Sequence, residues 1–142
     1  MTERAIIVHN LEEAKIAISV ASSLDCMVVL RSSPEAAAYL GPQVFHEIIK
    51  QAKIGYEETK VHAVFDCGND SGTALCALRY GIKAIRINVP IKTLKKISDI
   101  AKQMQASVEF VHSKNITDLT TVLDLLDQDD PESAVRSWLI GN

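Results

Sequence analysis

Residues 61–81 read VHAVFDCGNDSGTALCALRYG, and this stretch decides the fold. Val61 to Phe65 is a short β-rich run bounded by turn residues, and it closes directly on the carboxylate of Asp66. Gly68 and Gly72 punctuate the turn that follows, and Asp70 or Ser71 is placed to cap a helix running through Leu78. Gly81, after Arg79-Tyr80, has the position of a glycine ending that helix. Strand, polar loop, capped helix and glycine stop make one βα unit.

The same grammar repeats on both sides. Further β-rich runs lie at Ala5–Val8, Cys26–Leu30, Ala84–Ile87 and Val108–Val111. Helix-start signals follow them. Asn10 with Glu13 three residues on resembles a capping box, Ser33-Pro34 and Asp130-Pro131 pair a cap with a first-turn proline, and Asn115 precedes Asp118. Leu94, Ile97, Ile100, Ala101 and Met104 form an apolar stripe opposite Lys95, Lys96, Asp99 and Lys102. Leu119, Val122, Leu123 and Leu126 suggest a fifth such helix. Between Pro34 and Lys60 the pattern reads as a short helix through Leu40, a Gly41-Pro42 break and a longer helix from Gln43.

Five βα units imply an α/β fold with a mostly parallel sheet, because right-handed crossovers are nearly obligatory. Residues 1–142 are expected to form a single domain with a C-terminal helical tail over 115–142. Two architectures fit. One is a doubly wound three-layer sandwich, favoured by the continuous apolar strands; the other is half of a (βα)₈ barrel. The charges Arg86 and Glu109, with His62, weigh for the half barrel, unless they lie on edge strands and pair with each other.

Composition narrows the function classes. The chain has 142 residues, 47% of them apolar, and 15 Lys+Arg against 18 Asp+Glu give a formal charge of −3. These are globular proportions, and no basic cluster is ready to neutralise phosphates, so no nucleic-acid partner is expected. His9-Asn10 interrupts the first apolar run, so it does not read as a signal peptide, and no run approaches the ~20 residues of a membrane span. Three cysteines without a CxxC spacing read as reduced thiols in a cytoplasmic protein, with Cys26 and Cys76 in the core.

In a parallel sheet, ligands bind beyond the carboxyl ends of the strands. The residues placed there are His9-Asn10, Arg31-Ser32-Ser33, Asp66 to Thr73, Asn88 and His112-Ser113. Much of this polarity serves as helix caps, which orphan N–H groups require anyway. Caps do not require His9, Arg31, Asp66, Cys67 or His112. The glycines of the third loop let backbone N–H groups approach an anion at a helix start. The expected ligand is therefore a small carboxylate or phosphate, bound by Arg31, Gly68, Asn69, Ser71 and Asn88. For an enzyme, His9 or His112 with Asp66 is the acid/base pair, and Cys67, near a helix N-terminus, is the reserve nucleophile, although a free cysteine there reads first as a small buried apolar residue. Without HxH, HxxxH or CxxC spacing no metal site is expected, and no cofactor either. GxxxxGK[ST], GxGxxG after the first strand and GxSxG are all absent. A receiver domain would need a carboxylate pair after the first strand, where this chain has His9-Asn10.

Ala38-Tyr39-Leu40-Gly41-Pro42 and, more distinctively, Asp66-Cys67-Gly68 followed by Gly72 to Gly81 resemble small bacterial (βα)-repeat proteins with units like those of aldolases and phosphate-binding barrels. The resemblance covers about one and a half βα units and implies an architecture before a reaction. An aldolase-like lyase would also need a lysine near a strand end; Lys83 and Lys114 sit before the fourth strand and just past the fifth. Trp138-Leu139-Ile140, near the chain end, must dock on the chain itself or on another copy. Two functions are thus expected as alternatives: a small-anion-binding α/β protein, or a homo-oligomeric scaffold without catalysis. An aldolase-like lyase or a degenerate receiver stands further off.

Overall fold

A computed structural model describes residues 4–34, 36, 39–111 and 122–141. The elements in chain order are β1 (Ala5–Ile7), α1 (Leu11–Ser23), β2 (Val28–Arg31), α2 (Pro42–Ala52), β3 (Val61–Asp66), α3 (Ser71–Tyr80), β4 (Ala84–Ile87), α4 (Ile91–Gln103), β5 (Ser107–Phe110), β6 (Val122–Asp124) and α5 (Pro131–Ile140). The strands hydrogen-bond in the order β5-β4-β3-β2-β1-β6, an open sheet with β5 and β6 as its edges. The β1–β2, β1–β6, β3–β4 and β4–β5 pairs are parallel. This is the α/β class that the alternation of strands and helices announces.

Local chemistry sets the element ends. Asn10 is extended (φ −154°, ψ 174°), and its side chain accepts from the Glu13 N–H. Asp70 accepts from the Gly72 and Thr73 N–H groups, and Asp130 from that of Ser133. Gly81 stops α3 in the left-handed region at φ 108°, which a side chain would resist.

The chain divides into two compact units. The first gathers the described residues of Met1–Arg31, Glu47–Ala63 and Leu119–Asn142. In it Ile6 of β1 is flanked by Leu30 of β2 and Leu123 of β6. All of β1 and β2 is buried, as expected of strands read as unbroken apolar runs. Helix α1 turns Ala14, Ala17, Ile18 and Ala21 inward, all at 0% exposure, and α5 packs on it through a layer that buries Val135.

The second unit holds Ser32–His46 and Val64–Asp118. Phe65 of β3 and Phe45 of α2 are in ring contact at 5.6 Å, both essentially inaccessible to water. Ile85 and Ile87 of β4 are likewise buried, and α3 packs against α4. Edge strand β5 alternates instead, with Ser107 and Glu109 exposed and Val108 and Phe110 half-buried.

Two readings of the sequence need correction. Val122 and Leu123 belong to β6, not to a fifth helix, because both pair with β1 and the exposed Leu126 lies beyond the strand. A short apolar run fits either period until a partner strand chooses. Asn115, Asp118 and Leu119 of that reading lie outside the described residues. Cys76 is exposed on α3 rather than in the core, and Cys26 is half-buried just before β2. Of the short helix read between Pro34 and Leu40, Ala36 is described in a 3₁₀ turn, its N–H donating to the Ser33 carbonyl and its own carbonyl accepting from the Tyr39 N–H, while residues 35, 37 and 38 lie outside the described ones.

Candidate functional site

The end of β3 carries the densest polar geometry of the second unit. Asp66 is buried, and its backbone N–H donates to Ser32 Oγ at 2.8 Å. Its Oδ1 accepts the Gly68 N–H at 2.9 Å, folding the loop back on the strand. Gly68 sits at φ 62°, and a Cβ there would come within 3.5 Å of the Pro34 carbonyl. The loop is also laced to β4: Cys67 N–H donates to the Arg86 carbonyl and Asn88 N–H to that of Gly68, both at 2.8 Å.

These bonds redistribute the expected anion donors. The Gly68 N–H is taken by Asp66, and Asp70 takes those of Gly72 and Thr73 at 2.9 and 3.2 Å. The Thr73 backbone bond is the main cause that holds the Asp70 carboxyl below its usual range. Asn69 is exposed and Ser71 half-buried. The loop's own carboxylates therefore occupy donors that its glycines advertised for a ligand.

Among the described residues, Arg86 brings a cation to this unit's rim. In the sheet register Asp66, Arg86 and Glu109 lie side by side on β3, β4 and β5. Arg86 Nε stands 3.6 Å from Asp66 Oδ2, and Nη1 stands 3.7 Å from Glu109 Oε2. Both separations exceed the 2.7–2.9 Å or so of a charge-assisted hydrogen bond. Among the described residues the guanidinium thus has ionic neighbours but no short bond. The partners differ: the Asp66 side chain is 6% exposed, Arg86 25% and Glu109 52%. The sequence anticipated the Arg86–Glu109 pair as a structural one; it missed that a buried carboxylate holds Arg86 from the other side. The signal was there, in charges within two successive strands beside a strand that closes on Asp66.

Cys67 is buried, as a free cysteine usually is, and lacks the lowered thiol pKa that a nucleophile at a helix start would have. It is fully buried, and desolvation, followed by the nearby Asp66 and Asp70 charges, pushes its thiol up to about 12. Its Sγ points back at the Phe65 carbonyl, 3.8 Å away. A helix N-terminus lowers a thiol's pKa only where the thiolate is solvated or paired with a cation.

His9 belongs to the first unit. Its backbone N–H donates to Glu13 Oε1 at 2.8 Å, and its Nδ1 lies 3.0 Å from the same oxygen. Nε2 faces Asp124 Oδ1 at 3.4 Å, across the β1–β6 pairing. Within its own unit His9 is flanked by two carboxylates, because Glu13 sits one helical turn on and Asp124 ends the neighbouring strand. Arg31 closes β2 and is 7% exposed, paired in register with Ile7. His112 lies outside the described residues. Among those described, no three His, Cys, Asp or Glu side chains are grouped to hold a metal ion.

The tail docks in cis. Arg4 places its guanidinium 5.4 Å from the Trp138 ring centroid and donates from Nη1 to the Trp138 carbonyl at 2.6 Å.

The fold and site define an α/β protein with an open parallel sheet and a charged carboxyl rim. No protein-family model matches this chain, and no curated protein matches it either.

Proposed function

We propose that this protein binds a small anionic metabolite at the carboxyl rim of its parallel sheet, with Arg86 as the charged anchor. The observation that carries the reading is the state of Arg86: a quarter-exposed guanidinium near the carboxyl end of its strand, beside a buried carboxylate and, among the described residues, without a hydrogen bond of normal length. A guanidinium presents five N–H donors in a planar fork suited to two-oxygen anions. Parallel sheets take their ligands at this end. Gly68, Asn69, Ser71 and Asn88 line the adjoining loop and shape the space without supplying the charge.

Calorimetric titration with a panel of small carboxylates and phosphates tests this. At least one is expected to bind the wild type and to lose binding in Arg86→Gln, with the variant's circular dichroism retained. A panel without a binder, or an Arg86→Gln variant that binds as well as wild type, overturns the reading.

A second reading, self-association, draws on Ile140 and Leu126 of the first unit, which are 55% and 61% exposed, whereas Trp138 is half-buried against Arg4. Light scattering on the full chain and on Ile140→Asp decides it. A monomeric mass for both removes the reading. Among the described residues no helix is long and apolar enough to cross a membrane.

A further inference from the structure

The three-strand ion row says which kind of anion Arg86 would take and what it must displace. We infer that Glu109 is a built-in competitor for the ligand, so that the site binds a compact monocarboxylate by exchange with the Glu109 side chain. This rests on the anion-binding reading given above and goes beyond it in naming both the ligand class and the residue exchanged.

The two carboxylates of the row are held differently. Asp66 is fixed: its carboxylate is buried, and one of its oxygens is bound to the Gly68 N–H. Glu109 is not fixed. It stands on an edge strand, is half in water, and meets Arg86 at 3.7 Å without a hydrogen bond. Holding an exposed ion pair together yields little net free energy, because each partner recovers hydration and side-chain freedom on separating. Asp66 therefore positions the guanidinium, and Glu109 is the partner that yields.

Charge then selects the ligand. Arg86 supplies one positive charge, against which Asp66 already sets one negative charge at 3.6 Å. Exchanging the Glu109 carboxylate for a ligand carboxylate leaves the local balance unchanged. A dianion adds a further negative charge beside Asp66, with Asp70 on the same loop, and is repelled. The group the fold itself places against Arg86 is a carboxylate, which has the size and planarity of the predicted ligand.

The experiment is an NMR titration of the full chain with sodium acetate and, separately, sodium phosphate. It is run at matched ionic strength and about pH 8, where phosphate is dianionic. Wild type, Glu109→Gln and Arg86→Lys are compared, the last because it keeps the charge that Asp66 needs while removing the fork. Saturable shifts at Arg86 and Gly68 amides are expected with acetate, with a Kd about three- to fivefold lower in Glu109→Gln, the size of a lost surface ion pair. Phosphate is expected to bind more weakly than acetate, and Arg86→Lys to weaken acetate binding. Wild-type saturation with an unchanged Kd in Glu109→Gln overturns the competitor role and leaves the anion reading standing. Tighter binding of phosphate than acetate overturns the carboxylate selection alone. No saturable shift with either anion in wild type or Glu109→Gln overturns the anchor and with it the proposed function, whereas full acetate binding in Arg86→Lys overturns the part played by the guanidinium fork in selecting a carboxylate.

Discussion

Thiol labelling of the native protein puts the burial of Cys67 to a quantitative test, with the other two cysteines as internal controls. Cys76 is exposed, Cys26 is half-buried, and Cys67 has no accessible surface. Only the thiolate attacks an alkylating reagent, so labelling rate follows thiolate population and access. A rise from 9.0 to about 12 lowers that population at neutral pH about a thousandfold relative to an unperturbed thiol. Burial adds a second barrier, since reagent reaches the sulfur only when the strand end opens. Iodoacetamide with peptide-resolved mass spectrometry is therefore expected to modify Cys76 first and Cys26 next. Cys67 should follow at least about a thousandfold more slowly than Cys76, catching up once urea unfolds the chain. The same burial has a signature in alkali. The folded-state pKa is raised, so the native chain holds its proton where the unfolded chain has lost it. Stability is then complete below about pH 9 and falls as pH rises toward about 12, by up to roughly 4 kcal/mol. Labelling of Cys67 within tenfold of Cys76 under native conditions would refute the reasoning and restore the nucleophile.

Two further outcomes follow from packing and capping. Phe65→Ala removes a fully buried ring packed at a tilt against Phe45, and urea denaturation is expected to show a loss of about 3–5 kcal/mol without a change in m; a loss below about 1 kcal/mol would mean the ring pair is not core. The Asp70 carboxylate caps α3, and its lowered pKa means that its contribution is present above the ordinary carboxyl range and is lost as pH falls through and below 3.8. In acid denaturation followed by circular dichroism, Asp70→Asn should therefore be less stable than wild type at neutral pH and converge with it in acid. A constant gap between them at every pH would show that the cap does not depend on charge.

Much of the fold is legible in single residues. Asn10, Asp70, Asp130 and Gly81 announce their helix ends because capping is chemistry between near neighbours, and each does in the structure what its type implies. The apolar runs of β1, β2 and β4 announce buried parallel strands for the same local reason. Val122–Asp124 failed to announce itself: three residues carry too little periodicity, and their pairing with β1 joins positions more than a hundred residues apart. Cys76 failed differently, since a helical cysteine between apolar neighbours reads as core until packing shows which side of α3 faces out.

The candidate site divides along the same line. Sequence alone determined that this is an α/β chain whose polar residues gather at the carboxyl ends of its strands, and that Asp66 stands at one of those ends. Only the tertiary structure decided which donors remain for a ligand there. It gave the Gly68, Gly72 and Thr73 N–H groups to Asp66 and Asp70, closed Cys67 away from water, and set Arg86 between a buried and an exposed carboxylate. The physical reason is that a residue's type states which bonds it is able to make, whereas partner and solvation depend on strands that meet only when the sheet assembles.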